Sequence, residues 1–287
     1  MKVGWIGTGL MGLPMAQRLL DNDISLVAYN RSSSKLEPLR SAGVTIAASP
    51  HEVVSASECV ILMLTDAQAI RSVLFSAASQ KALPGRIVIQ MGTIAPSTSK
   101  TIRDEVVAAG GNYLEAPVLG SIPEAKAGKL IVMVGASPEQ FQQWVSLLQH
   151  FGPDPLLIGP VGTAAAAKLA LNQLIAALTA AFALSLSFAM RYGVDTDLWM
   201  DIVRNSALYA PTFDKKLARM LNRDYANPNF PIKHLIKDTN LFIAEAASVG
   251  LNVSSLEGVR KILDIAMNLN FSEEDYSSLF SVVNPQD

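Results

Sequence analysis

The sequence predicts an α/β amino-terminal half, a doubly wound parallel sheet, followed by an all-helical carboxyl-terminal half. Three observations predict it. Short apolar runs alternate with helical periods as far as the helix over 138–152, the pattern of strand–helix–strand units. Several runs, "CVILML" (59–64) the clearest, carry no polar alternation, as strands covered on both faces require. After "PLLIGPVG" (155–162) the strand pattern stops and helical periods run to the end. "GPVG" is therefore the expected boundary, with one domain over 1–161 and a second over 162–287.

The expected elements follow in order. "KVGWIG" (2–7) is a buried strand, "LPMAQRLLDN" (13–22) a helix and "SLVAYN" (25–30) a second strand. "SKLEPLRSAG" (34–43) is a helix stopped by Gly43. "CVILML" is followed by a helix over 67–75, a strand "RIVIQMG" (86–92) and a helix over 96–111. "YLEAPV" (113–118) and "LIVMVG" (130–135) are strands, and 138–152 is a helix. The helical half opens on one very long helix, about 163–192, whose stretch 174–190 has no charge. That stretch falls short of the ~20 residues a membrane span needs and is dotted with Thr179, Ser185 and Ser187. It reads as a buried helix, or one covered by a partner chain.

Composition narrows the function classes. The chain has 287 residues, half of them apolar, and a net charge of −2. That balance gives no general attraction to nucleic acid or anionic membrane. One cysteine, Cys59, forms no disulfide within the chain and fits a cytoplasmic setting. "MKVGWIGTGL" does not read as a secretory signal. His51, His150 and His234 show no metal spacing with one another or with Cys59, so no metal is expected.

"GTGLMG" (7–12) matches G-x-G-x-x-G directly after a strand and at the head of a helix, the context that makes the pattern specific. Gly7 would permit the turn, Gly9 the approach of a pyrophosphate, and Gly12 the packing of helix on strand. Thr8, Leu10 and Met11 complete the loop. This is the phosphate-binding turn of a Rossmann-type dinucleotide fold. At the end of the second strand, NAD binders carry an acid for the ribose 2′-hydroxyl. Here stands "YNRSSSK", with Asn30, Arg31, Ser32 and Lys35. An arginine among hydroxyls suits a 2′-phosphate, so NADP (as NADPH) is the expected cofactor.

With these residues in place the chain resembles the β-hydroxyacid dehydrogenases, the family of 3-hydroxyisobutyrate dehydrogenase and the glyoxylate/succinic semialdehyde reductases. The resemblance covers essentially the whole chain, in six stretches in order: "GWIGTGLMGLPMAQRLL", "ILMLTD", "GTIAP", "EAPVLGSIPEAKAGKL", "GTAAAAKLALNQ" and "IKDTNL". "NRS" and "APVLGS" are most similar to the glyoxylate/succinic semialdehyde branch. The resemblance implies that Leu64, Thr65 and Thr93 line the cofactor, that Lys237 reaches it, and that Leu119, Gly120, Ser121 and Asp238 bind substrate. Three positions depart from the family: Thr65 where proline is usual, Gly92 where serine is usual, and Leu119 in place of a serine that helps hold the substrate carboxylate.

Lys168 interrupts a run of four alanines. Read alone, it is equally a lysine whose stem packs while its head reaches water. The family's K-x-x-x-N signature implies instead a catalytic pair, Lys168 and Asn172. Lys168 would stabilise charge on the substrate oxygen and move its proton, and its apolar surroundings would lower its pKa. Asn172, four residues on, shares its helical face. The expectation is an NADP-dependent oxidoreductase interconverting a small aldehyde- or keto-acid and its hydroxy-acid, as a homodimer or homotetramer. The alternatives are 3-hydroxyisobutyrate dehydrogenase proper, opposed by Asn30–Arg31, an imine reductase, opposed by Lys168, and a non-catalytic dinucleotide-binding protein, opposed by the full K-x-x-x-N signature.

Overall fold

The computed structural model describes residues 2–286. The chain forms two compact units that divide between Leu169 and Ala170, inside one continuous helix. The first unit is a doubly wound α/β layer. Its elements are β1 (Lys2–Ile6), α1 (Gly12–Leu20), β2 (Ser25–Tyr29), α2 (Glu37–Ser41), β3 (Thr45–Ile46), α3 (Pro50–Ala56), β4 (Cys59–Leu62), α4 (Ala67–Leu74), α5 (Ala77–Ala82) and β5 (Ile87–Gln90). There follow α6 (Pro96–Ala108), β6 (Asn112–Glu115), β7 (Val118–Leu119), α7 (Ile122–Ala127), β8 (Ile131–Gly135), α8 (Pro138–Leu148) and β9 (Leu156–Gly159).

The strands order as β3-β2-β1-β4-β5-β6-β8-β7, with β9 on β8. All neighbours run parallel as far as β6, and β8 runs antiparallel to β6 and β7. Side chains alternate between two cores. Val3, Trp5, Cys59, Ile61, Ile87 and Ile89 enter one, and Ile6, Val60, Leu62 and Val88 enter the other. Burial on both faces explains why these strands read as continuous apolar runs. The expected strand over 113–118 is two strands. Pro117 has no N–H for a ladder, and the chain turns there from the parallel partner β5 to the antiparallel partner β8.

The helix α9 (Thr163–Arg191) follows. The second unit adds α10 (Thr196–Arg204), α11 (Pro211–Asn222), α12 (Ile232–Ser248), α13 (Ser254–Asn268) and α14 (Leu279–Val283). Its described residues contain no strand, only the isolated bridge between Pro231 and Asp275. Leu235, Leu263, Ala266 and Leu279 form one of its cores, and Phe182, Leu186, Phe213 and Phe280 another. A buried ion pair joins α11 to the segment before α14: Lys216 Nζ lies 2.8 and 2.9 Å from the two oxygens of Asp275 and 4.2 Å from the centre of the Tyr276 ring.

Candidate active site

Strand register levels the loops that would hold a cofactor. Ile6 pairs with Tyr29 on one side and Leu62 on the other, and Leu62 with Gln90. The residues after these strands therefore emerge together at the carboxyl edge of the sheet: Gly7–Thr8, Asn30–Arg31, Leu64–Thr65 and Thr93. The strand order reverses between β1 and β4, the switch point where open α/β sheets take ligands.

The glycine turn has the shape a pyrophosphate needs. Gly7 has φ +105°, and a Cβ there would strike the Met63 carbonyl. At Gly12 a Cβ would strike the carbonyl of Gly7. Gly9 faces open space, with no atom within 4 Å of where its Cβ would stand. No side chain caps the head of α1, an end that suits an anion, although the Leu13 N–H already donates to the Gly9 carbonyl at 3.1 Å. The Thr8 hydroxyl is buried and makes no hydrogen bond. These residues fit a dinucleotide.

Asn30 stitches this turn to the next loop. Its Oδ1 accepts from the Thr8 N–H at 3.0 Å, and its Nδ2 donates to the Ser32 carbonyl at 3.0 Å. Arg31, Ser32 and Lys35 are exposed beyond it. A cavity of about 590 Å³ opens beside them, lined by Tyr29, Asn30, Arg31, Ser33, Leu36, Arg40, Val44, Ile46, Ala47 and Ala48. Arg40 was not singled out in the sequence. It lies nine residues past Arg31, and only the fold of α2 brings it to the same cavity. It is paired with Glu37 at 2.7 Å, both side chains being more than half exposed.

Gly92 has a local reason to lack a side chain: a Cβ there would strike the Leu64 carbonyl. In this chain the loops after β4 and β5 pack too closely for the family's serine.

The amino end of α9 is pinned by a residue that sequence reasoning missed. Glu115, at the end of β6, is 1% exposed. Its Oε1 accepts from the Gly162 N–H at 2.8 Å and the Ala165 N–H at 3.0 Å, and its Oε2 accepts from the Ser99 hydroxyl. Burial pushes its carboxyl above the usual carboxylate range, against the lowering effect of these donors. A carboxylate at orphan helix N–H groups is an N-terminal cap supplied from another element. Its partners lie 47 and 50 residues away, so no local pattern announces it.

Lys168 follows less than one turn later and is buried, at 9% exposure. Asn172 lies one helical turn on, on the same face, and is 3% exposed. Its Nδ2 donates to Asp238 Oδ2 at 2.7 Å, while its Oδ1 is buried and accepts no hydrogen bond. Asp238 sits on α12 at 3% exposure, with the Lys237 ammonium 2.8 Å from its Oδ1. The Asp238 side chain of this pair is buried and that of Lys237 is 23% exposed. Near them, burial and the ammonium groups of Lys237 and Lys233 push the His234 imidazole below its ordinary pKa.

Leu119 ends β7, and Gly120 follows with φ +134°. Ser121 caps α7, and its N–H and hydroxyl both donate to Glu124 Oε2, at 2.8 and 2.6 Å. Among the described residues no group of three or more His, Cys, Asp or Glu side chains is placed to hold a metal ion.

Residues 2–159 match the NAD-binding domain of 6-phosphogluconate dehydrogenase. Residues 162–283 match the NAD-binding domain of NADP-dependent 3-hydroxyisobutyrate dehydrogenase. The chain is 30% identical to glyoxylate/succinic semialdehyde reductase 1 of Arabidopsis thaliana, over 99% of this chain and 98% of that protein. Its fold matches 3-hydroxyisobutyrate dehydrogenase from Salmonella typhimurium with a TM-score of 0.87 at 24% identity, over 98% of this chain and 99% of that one. It also matches Psf3, solved with NADP+ and 2-OPP, with a TM-score of 0.86 at 24% identity, over 98% and 99%. A glycine turn shaped for a dinucleotide, the two family matches and end-to-end similarity to a named reductase agree: the chain belongs to the NAD(P)-dependent β-hydroxyacid dehydrogenases, oxidoreductases that act on CH–OH groups.

Proposed function

We propose that this enzyme uses NADPH to interconvert a small aldehyde- or keto-acid, of the glyoxylate or succinic semialdehyde kind, and its hydroxy-acid, with Lys168 as the general acid and base. Residues 1–161 would bind the cofactor. Residues 162–287 would supply substrate contacts and the surface for a homodimer or homotetramer.

The observation that carries the reading is a buried lysine one helical turn from a buried amide held by a buried carboxylate. The bound dinucleotide supplies or accepts the hydride. Lys168 Nζ gives its proton to the oxygen of the carbonyl as negative charge grows there, and takes it back in the oxidative direction. Asp238 fixes the Asn172 amide by holding Nδ2, which leaves Oδ1 as an acceptor for a lysine or hydroxyl proton. Arg31, Ser32 and Lys35 would hold the 2′-phosphate through charge-assisted hydrogen bonds, with Asn30 bracing their loop against the glycine turn. Leu64, Thr65 and Thr93 would flank the nicotinamide half, and Lys237 would reach the cofactor from α12. Leu119, Gly120 and Ser121 would face the substrate, with Asp238.

The test is a steady-state panel of short aldehyde acids with NADPH and with NADH. Turnover of at least one acid with a clear NADPH preference is expected. Equal use of the two cofactors would overturn the NADP assignment, and no turnover of any acid would overturn the substrate class.

A further inference from the structure

At the head of α9 the capping position is a glycine. The Gly162 carbonyl accepts from the Ala166 N–H at 3.1 Å, and the residue has no side chain to cap with. It does not admit one either: its φ is +105°, and a Cβ there would meet the Lys100 side chain. The cap comes instead from Glu115 at the end of β6, through the Gly162 and Ala165 N–H groups. That carboxylate is itself held from two sides. The Ser99 hydroxyl of α6 donates to its Oε2, and the Tyr113 hydroxyl lies 2.9 Å from that of Ser99. Gly135, paired with Glu115 across the sheet, leaves the room the carboxylate occupies, since a Cβ there would strike it. Strand register sets Glu115 level with Gln90, at the sheet edge that carries the Thr93 loop.

We infer that Glu115 is a positioning residue for Lys168: by gripping the first turn of α9 from the sheet, it sets where the Lys168 ammonium stands relative to the edge that carries the cofactor loops. The inference rests on the proposed acid–base role of Lys168. Lys168 is three residues past Ala165, so the two are neighbours on one helical face, and all of these residues belong to the first unit. Without the carboxylate, two buried N–H groups would lose their acceptor, and the turn would have to shift to find another. Misplacing a reacting group by about 1 Å can cost ~10²-fold in rate. A cap that served stability alone would leave proton transfer untouched, and the test separates the two roles.

Glu115→Asp keeps the charge and shortens its reach by one methylene. Gly135→Ala keeps the carboxylate and crowds it off the head of α9. Each is made in the full-length enzyme with Lys168 intact and again in Lys168→Ala. Turnover is followed by NADPH absorbance with succinic semialdehyde or glyoxylate, whichever the native enzyme turns over faster, and NADPH is titrated into every variant. With Lys168 intact, each change is expected to lower turnover roughly tenfold or more and to leave NADPH affinity within about twofold. In Lys168→Ala each is expected to change the residual turnover by less than about twofold, because a residue that acts through Lys168 has nothing left to position. Native turnover in both variants, or an equal fold loss with and without Lys168, would overturn the inference and leave Glu115 a cap. If Glu115→Asp loses NADPH binding with its fold, Gly135→Ala decides by the same cycle. If Lys168→Ala collapses turnover while Glu115→Asp and Gly135→Ala do not, only the role of Glu115 falls. If Lys168→Ala itself keeps native turnover, the acid–base reading falls and this inference with it.

Discussion

Arg31 and Arg40 show what one residue can and cannot announce. Arg31 was legible because it directly follows Asn30, which stands where the acid of an NAD binder belongs. Arg40 was not, because its relevance depends on α2 turning it to the same cavity. Charge-assisted hydrogen bonds contribute ~1.5–3 kcal/mol each, so Arg31→Ala should weaken NADPH binding tenfold or more in a fluorescence titration. Arg40→Ala should weaken it by a smaller factor. Arg40 is freed from Glu37 at little cost, since exposed pairs are worth ~0–1 kcal/mol. NADH affinity should stay within about twofold in both variants, because no 2′-phosphate is present to lose. A parallel loss for the two cofactors would contradict a 2′-phosphate role. Glu115 makes the same point more strongly. It stood in a quoted motif without a role, and its role at the head of α9 comes entirely from residues brought to it by the sheet.

At the scale of elements, long periodic segments were legible and short capped ones were not. The strands β1, β2, β4, β5 and β8 and the helix α9 lie where the sequence puts them, because burial on both faces or helical period over many turns writes itself into composition. The helices α3, α5 and α7 span seven, six and six residues, too short for a period. Their signal is the cap. Ser49 accepts from the Glu52 N–H and Ser76 from the Ser79 N–H, and "SIPE" (121–124) is a capping-box spelling. The helix α9 carries its own prediction. It is apolar enough to cross a membrane by length and composition, yet its faces differ. Ala176, Ala183 and Leu186 are fully buried, while Leu184 and Phe188 are 59% and 64% exposed. The ring of Tyr192, just past its end, packs tilted against Phe188, with 4.7 Å between centroids. An exposed apolar stripe of this kind is expected to be covered by a partner copy. Light scattering at micromolar concentration should give at least twice the 30.7 kDa chain mass, and Leu184→Asp with Phe188→Asp should shift it to the monomer. A native monomer would contradict this.

At the scale of the whole molecule, the sequence made the class of the enzyme readable, because the glycine turn, the lysine signature and the switch from strands to helices are each local. What it could not carry is the long-range wiring. Asn172 and Asp238 are 66 residues apart, and nothing local says that one holds the other. Ser121 donates through both its N–H and its hydroxyl to Glu124. The central claim is that these parts serve a single step, proton transfer by Lys168 beside a bound dinucleotide. Lys168→Ala tests it most directly, in one steady-state assay on an active carbonyl substrate paired with an NADPH titration. General acid–base groups contribute ~10²–10⁴-fold, so turnover should fall by that factor while NADPH affinity stays within about twofold. Arginine at 168 should not restore it, since a guanidinium cannot give up its proton. Retention of more than about a tenth of native turnover in Lys168→Ala would contradict a principal acid–base role.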